Sequence, residues 1–327
     1  MTGSGVRLGI IGCGIMGERI IRATLSLDPD LIRLVALWDP DPKARERLAA
    51  DLPGLPFVDH APDVAGLCDV VYVASPPATH LGHARIALGA GRAVFTEKPL
   101  AVSMEESHAF LELVNQSGRA AAVNFIFASS PAVASLKGWL AEGVIGTPEV
   151  LEISTQFAQW PRPWQMDANG WLSRRAEGGF TREVVSHFLF LTRRLCGPLK
   201  LGSASARFPA GDGAETAIAA DLTAGGLPVR LKGGVGTTDQ ADHNLWTLTG
   251  SAGAVRLRDW STAERLTPDG TWVGDPEAPS HELARPMILQ GQVTKLAAMV
   301  RGQPHDLATV EEALEVQTIV EGILASG

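Results

Sequence analysis

Two groups of residues in this 327-residue chain have types and spacing suited to chemistry. The first is Gly12-Cys13-Gly14-Ile15-Met16-Gly17, the pattern G-x-G-x-x-G. It follows an apolar run, Val6–Ile11, and opens a segment with apolar residues at helical spacing, Ile15–Leu27. Strand, turn and helix in that order are the context that gives the pattern meaning. Gly12 permits the tight turn, Gly14 lets the backbone approach a pyrophosphate, and Gly17 lets the helix pack on the strand. The helix N-terminus then offers free N–H groups and a positive dipole end to the phosphates. Asp39 stands 22 residues after Gly17, at the end of a second strand-like run. A carboxylate there accepts hydrogen bonds from ribose hydroxyls and repels a 2′-phosphate, which points to NAD. Arg45 keeps NADP open, because a nearby Arg accommodates that phosphate. A plain helix cap is the alternative role for Asp39. The second group is Glu183 and His187, four apart in a segment that reads as a helix. Four residues is just over one helical turn, so both side chains project from one face. An imidazole titrates near neutrality and suits proton transfer. A surface helical pair is the bland alternative, and the apolar neighbours Val184, Val185, Phe188 and Leu189 argue for a buried face instead.

The elements that must position these residues alternate at the rhythm of βαβ units over the first ~125 positions. After Val6–Ile11 the expected strands are Leu34–Trp38, a weak Pro56–Val58, Asp69–Ala74, Arg92–Thr96 and Ala121–Asn124. The expected helices are Ile15–Leu27, Asp39–Ala50, Ala78–Gly89 and Ser103–Ser117, the last with Ser103 and Glu106 as a capping box and Gly118 as its stop. The second half differs. Pro131–Glu142 reads as a helix and Glu149–Phe157 as a strand, then an irregular Trp-, Pro- and Gly-rich stretch leads into a helix at Phe180–Leu195. Strand-like segments follow one another at Leu199–Phe208, Glu215–Leu222, Pro228–Val235, His243–Thr249 and Ala254–Arg258, which suggests an antiparallel sheet. Gly250-Ser251-Ala252-Gly253 reads as a hairpin turn, and helices at Ile288–Arg301 and Leu307–Leu324 close the chain.

The formal net charge is −8, with no basic run, so the chain lacks the electrostatic footprint of a nucleic-acid binder and has no attraction to an anionic membrane surface. No apolar run reaches the ~20 residues of a membrane span. Cys13, Cys68 and Cys196 are far apart and lack metal-ligand spacing, so neither a disulfide scaffold nor a metal site is expected. The polar Met1–Gly5 segment shows no signal-peptide core, and the expected location is cytoplasmic.

Two long stretches carry a resemblance. Val70-Val71-Tyr72-Val73-Ala74-Ser75-Pro76-Pro77-Ala78-Thr79-His80 and Gly91-Arg92-Ala93-Val94-Phe95-Thr96-Glu97-Lys98-Pro99-Leu100-Ala101 resemble the Gfo/Idh/MocA oxidoreductases, whose namesakes include glucose–fructose oxidoreductase and inositol dehydrogenase. Asn124 fits the family's start of the second domain, Leu140–Gly146 its helix end, and Thr249–Gly253 its late hairpin, so the likeness covers the whole chain. It implies an α/β protein: an N-terminal Rossmann domain with a doubly wound parallel sheet (1–124), then an α+β domain with an open, mainly antiparallel sheet (125–327) that binds substrate and mediates oligomerisation as a homo-dimer or homo-tetramer. The last helix is free to pack back on the first domain. The resemblance further implies Lys98 as the active-site lysine, a cis bond to Pro99 beside the nicotinamide, and Glu97, Ser75, Pro76 and His80 along the cofactor. A helix N-terminal position without cofactor contact is the other reading of His80.

Where the family carries Asp-x-x-x-His, this chain has Glu183 and His187, so the carboxylate reaches about one methylene further. The implied roles are His187 as general acid/base, Lys98 as stabiliser of a developing alkoxide and proton relay, and Glu183 as orienter. Trp160, Arg162, Trp164, Trp171 and Arg174 precede that helix, where the family borders its small-molecule substrate; tryptophans stack on rings and arginines hold carboxylate or phosphate. Pinning of a loop is the competing role for the same residues. Phe125-Ile126-Phe127 stands where the family often has an Arg, and Tyr72, in a core strand, is the chain's one tyrosine. The tyrosine that some relatives use as proton donor is therefore absent. The expected activity is NAD(P)-dependent hydride transfer on a secondary alcohol or ketone of a sugar, polyol or related ring. The alternatives are a non-redox enzyme using bound NAD and a catalytically inactive nucleotide sensor.

Overall fold

A computed structural model describes residues 5–327, so Met1–Ser4 of the polar N-terminal segment lies outside the described residues. The chain forms two compact units. One runs through Ser129 and takes in Pro286–Leu314; the other comprises Ser130–Arg285 and Glu315–Gly327.

The first unit is built from β1 (Val6–Ile11), α1 (Ile15–Leu25), β2 (Ile32–Trp38), α2 (Pro42–Asp51), α3 (Ala61–Leu67), β3 (Val70–Val73), α4 (His80–Gly89), β4 (Ala93–Thr96), α5 (Met104–Ser117) and β5 (Ala121–Val123). All strands are parallel, in the order β2-β1-β3-β4-β5. A parallel sheet is covered on both faces, and β3 and β4 are accordingly buried at every position. Strand order reverses between β1 and β3, the kind of switch point where open α/β sheets bind ligands. Leu8, Ile10, Tyr72 and Phe95 share one core with Ile20 and Ile21 of α1 and with Leu289, Val293 and Leu296. Ser103 Oγ accepts the Glu106 N–H at 3.1 Å, which is the Ser103 half of the expected capping box without the return bond from the Glu106 side chain, and Gly118 ends α5 at φ 62° as expected.

Three sequence expectations are corrected here. Pro56–Val58 is no strand: Phe57 makes one isolated bridge to Leu37, because Pro56 has no N–H to extend a ladder. The sheet therefore has five strands, not six. Ala61–Leu67, unassigned from sequence, is a helix opened at His60, whose N–H the Asp63 carboxylate accepts at 3.2 Å. α2 starts later than Asp39, because Asp41 is its cap and accepts the Lys43 N–H at 2.9 Å.

The second unit holds α6 (Pro131–Ala141), β6 (Pro148–Phe157), α7 (Asn169–Leu172), a π turn at Thr181–Val185, α8 (Ser186–Cys196) and β7 (Leu199–Arg207). Then come β8 (Ala217–Ala224), β9 (Leu227–Val235), β10 (Asp242–Gly250), β11 (Gly253–Arg258), β12 (Thr262–Leu266) and β13 (Trp272–Gly274). The sheet order is β13-β12-β11-β10-β6-β9-β8-β7. Every neighbouring pair is antiparallel except β6 with β9. β8 alternates buried and exposed, as a sheet with one covered and one open face must. α8 packs over β7 and β8. Trp246 Nε1 ties it to β10 by donating to Thr192 Oγ1 at 2.9 Å. Gly250 pairs with Gly253, forming the expected hairpin. β12 and β13 extend the sheet past the expected strands; β12 carries Glu264 and Arg265, which masks its period-two pattern. The expected helix from Phe180 begins as a π turn instead. The last two helices are α9 (His281–Val300) and α10 (Val310–Leu324).

Candidate functional site

At the end of β1 the glycines are dictated by space. Gly12 has φ +98°, and a Cβ there would lie 2.6 Å from the Ala74 carbonyl carbon. A Cβ on Gly17 would lie 1.9 Å from the Gly12 oxygen. Gly14 is exposed and a Cβ on it would meet nothing within 4 Å. The loop thus closes tightly behind and opens in front, at the N-terminus of α1, where Ile15 and Met16 begin the helix. That open backbone, at a helix start on a strand-order switch, fits a dinucleotide pyrophosphate.

Asp39 is bound into the same loop. Its Oδ2 accepts the Cys13 N–H at 2.7 Å and its Oδ1 the Asp41 N–H at 2.9 Å. The helix-capping role belongs to Asp41, and Asp39 is left as the carboxylate beside the glycine loop. Cys13 is fully buried, and burial, followed by the Asp39 charge, pushes its thiol up to about 12.

Ser75 and Pro76 follow β3, half-buried and exposed respectively. His80 is fully buried at the start of α4. Its Nδ1 is 2.8 Å from the Pro99 oxygen and its Nε2 2.8 Å from the Ser75 oxygen. As an imidazolium the ring donates to both carbonyls and ties the β3 loop to the segment after β4; as a neutral imidazole it donates to one of them. Burial pushes the imidazole pKa down, while the two carbonyls favour its charged form.

Glu97 and Lys98 leave β4 buried, and the Lys98–Pro99 bond is cis. Behind them runs a buried polar network. The Tyr72 hydroxyl donates to Glu97 Oε1, and Asn124 Nδ2 donates to the same oxygen at 2.7 Å and to the Tyr72 oxygen at 3.2 Å. Gln292 Nε2 donates to Asn124 Oδ1 at 3.1 Å and to the Phe125 carbonyl at 2.7 Å. Burial, then the Glu97 charge, pushes the Tyr72 phenol well above its ordinary pKa. Reading Tyr72 as an inert core residue misses this role. The available signal is register: Tyr72 pairs with Phe95, and Glu97 shares the Phe95 side of its strand.

In the second unit, Gly179 has φ +100°, and a Cβ on it would lie 2.1 Å from Glu215 Oε2. Glu215 is buried and its Oε1 accepts the Thr181 N–H at 2.6 Å, which fixes the entrance to the π turn. Burial pushes the Glu215 carboxyl pKa up. Arg182 clamps the same turn: Nε and Nη2 each donate to Glu321 at 2.7 Å, and Nη1 donates to the Arg175 and Gly178 carbonyls. Glu183 lies in this π turn and His187 in the α-helical turn after it. A π turn closes i→i+5, so the expected α-helical stacking of the two side chains is altered at that point; such turns occur frequently at functional sites.

Glu183 Oε1 accepts a hydrogen bond from Gln165 Nε2 at 3.2 Å and lies 4.0 Å from Arg162 Nη2. Arg162 is buried and donates to Asp242 Oδ2 at 2.7 Å and Gln165 Oε1 at 2.8 Å. Trp260 Nε1 donates to that Asp242 oxygen at 3.2 Å, and the His187 ring meets Trp260 edge-on at 5.7 Å. Asp242 and Trp260, absent from the sequence-based candidates, thus link His187 to Arg162, Gln165 and Glu183. Trp160 pins its loop through Nε1 to the Leu172 carbonyl and through rings on Phe157 and Phe180. Trp171 is half-buried in α7, and Arg174 forms an exposed ion pair with Asp212. Trp164 is 44% exposed, with the Arg162 guanidinium 4.7 Å from its ring centre.

Residues 6–125 match the model of an oxidoreductase family with an NAD-binding Rossmann fold. Over that stretch the chain is similar to the Gfo/Idh/MocA oxidoreductases. Among relatives of this chain, dTDP-3,4-didehydro-2,6-dideoxy-alpha-D-glucose 3-reductase of Actinomadura kijaniata is 29% identical over 175 residues, 50% of this chain and 51% of the relative. Inositol 2-dehydrogenase 3 of Saccharopolyspora erythraea is 34% identical over 146 residues, 44% of this chain and 43% of the relative. The matched stretches thus span about half or less of these curated relatives. The fold of this chain is similar to that of an oxidoreductase from Thermotoga maritima, with a TM-score of 0.83 and 20% identity over 98% of this chain and 96% of the other. Among the described residues, no helix is long and apolar enough to cross a membrane, and no group of three His, Cys, Asp or Glu is arranged to hold a metal ion.

Proposed function

We propose that this chain catalyses NAD(P)-dependent interconversion of a secondary alcohol and a ketone on a sugar, polyol or related ring. The observation that carries the reading is the loop at Gly12–Gly17, closed behind by steric necessity, open at Gly14, and held by the Asp39 carboxylate. The two curated relatives support it, since their names give a sugar 3-reductase and an inositol dehydrogenase. Gly12, Cys13, Gly14, Ile15, Met16 and Gly17 would hold the pyrophosphate, Asp39 the ribose, and Ser75, Pro76, Glu97, Lys98 and Pro99 the nicotinamide end. When bound, the cofactor supplies the acceptor or donor of the hydride.

The chain's own residues handle the proton and the charge. His187 takes the hydroxyl proton in oxidation and returns it in reduction, a role open to an imidazole, which can both accept and donate a proton. Lys98 stabilises the developing alkoxide and relays its proton. Glu183, hydrogen-bonded by Gln165, orients the proton-transfer group. His80 acts by bracing the Ser75 and Pro99 carbonyls. Asp39 favours NAD over NADP by charge repulsion of a 2′-phosphate. The free thiols Cys13, Cys68 and Cys196, the first two buried, and the exposed positions of the second sheet support a cytoplasmic homo-dimer or homo-tetramer.

The test is nicotinamide absorbance during a screen of polyols, sugars and dihydrodiols. Net reduced cofactor is the expected result; turnover without net change indicates non-redox chemistry, and tight binding without turnover indicates a sensor. Lys98→Ala and His187→Ala should each lower kcat by about 10²–10⁴. Undiminished turnover by either variant on the substrate so found removes that residue's role.

A further inference from the structure

The arginines that sequence reading offers for an anionic substrate are already engaged. Arg162 is neutralised by Asp242 at 2.7 Å and faces Glu183 at 4.0 Å, and Arg174 is paired with Asp212. One cation beside the same loop differs. Arg285, in the first turn of α9, is exposed and lies 5.6 Å from the Trp164 ring centre. No carboxylate or hydrogen-bond acceptor among the described residues engages it. Trp164 therefore carries two guanidiniums, one neutralised and one open, and still shows 44% of its surface. The adjacent residue, Gln165, hydrogen-bonds Glu183, so this ring sits one residue along the chain from the candidate proton-transfer network.

One like charge, that of Arg162, acts on Arg285. Partial burial first, and the Arg162 charge second, hold its pKa below the ordinary guanidinium value. Such a group gains from an incoming anion, and a guanidinium fork binds carboxylate or phosphate bidentately. A flat indole beside the fork offers a surface for the ring that bears the anion.

We propose that Arg285 and the exposed face of Trp164 form a subsite for an anionic ring, one bearing a carboxylate or phosphate, and that the substrate belongs to this class. The proposal rests on the dehydrogenase reading for the identity of the ligand as substrate, but its binding claim stands alone.

The experiment is calorimetric titration of the NADH-loaded full chain with matched pairs: glucuronate and glucose-6-phosphate against glucose, and protocatechuate against catechol. At least one charged ring should bind about 10- to 100-fold more tightly than its neutral twin, the range of a hydrogen bond to a charged group. Arg285→Gln should abolish that preference and Arg285→Lys should recover part of it, with NADH affinity unchanged in both. Arg230→Gln, on the exposed face of β9, should keep the full preference. The glucuronate and glucose-6-phosphate arms separate carboxylate from phosphate. Equal binding of charged and neutral rings, no binding of any charged ring, or a preference that survives Arg285→Gln overturns the proposal. The dehydrogenase reading fails separately, if charged rings are preferred yet no ring, charged or neutral, changes nicotinamide absorbance.

Discussion

Tyr72→Phe removes one oxygen from a fully buried network and leaves the ring in place. The lost oxygen donates to Glu97 and accepts from Asn124 at 3.2 Å. A hydrogen bond to a charged group contributes about 1.5–3 kcal/mol, and Glu97 keeps its bond from Asn124 at 2.7 Å, so the cost falls in the lower half of that range, about 2 kcal/mol. The ring contact with Phe95 at 5.2 Å is retained, so no cavity term of large-to-small type is added. For a domain of the first unit's size, about 2 kcal/mol corresponds to a fall of roughly 4–8 °C in the first melting transition. Differential scanning calorimetry measures this directly. Steady-state kinetics supply a second readout. If the network fixes Glu97 and hence Lys98, kcat falls, and KM for the nicotinamide cofactor rises with it, since both residues would border the nicotinamide. A melt superimposable on the parent, with kcat unchanged, refutes the idea that this phenol holds the end of β4.

Other outcomes follow from the same geometry. Glu215 has a raised pKa in the fold, so its contribution to stability is complete below the ordinary carboxylate value of 4.5 and is lost as pH rises through the folded pKa. Glu215→Gln keeps an acceptor for the Thr181 N–H and should flatten this loss in melts recorded across acid to neutral pH; an unchanged slope would show that Glu215 is not its source. Glu321→Ala strands the Arg182 guanidinium, whose side chain is 9% exposed, and should cost about 3–5 kcal/mol in urea unfolding, while a change below 1 kcal/mol would assign Arg182's hold on the π turn to the Arg175 and Gly178 carbonyls. Cys13, Cys68 and Cys196, raised by burial to about 12, 11 and 12, should resist iodoacetamide at neutral pH in the folded chain and react after denaturation. Rapid labelling of native protein would contradict their burial.

Positions governed by backbone space were legible in the sequence. Gly12 and Gly17 must be glycine for the loop to close, and Ser103 and Gly118 bound a helix through local bonds. What escaped depends on choices between near-equal local options or on distant partners. Asp39-Pro40 and Asp41-Pro42 are alike as helix starts, and only the fold decides which aspartate caps α2 and which turns to the Cys13 N–H. Arg162 looks like a substrate arginine until Asp242, 80 residues away, is brought against it. The π turn at Thr181–Val185 has no periodic signature, since one extra residue in a turn barely changes an apolar pattern. Arg285 lies outside every motif, and its interest comes from its neighbours.

The double grip of Asp39 on Cys13 and Asp41 constrains how this chain could change its cofactor. The carboxylate that would exclude a 2′-phosphate also fastens the glycine loop to the end of β2. On the proposed NAD reading, replacing it to admit NADP would loosen the turn that would receive the pyrophosphate, so selectivity and scaffold would be inherited together. A route to NADP use that preserves the loop begins instead at Arg45, leaving Asp39 in place while new positive charge is added around it.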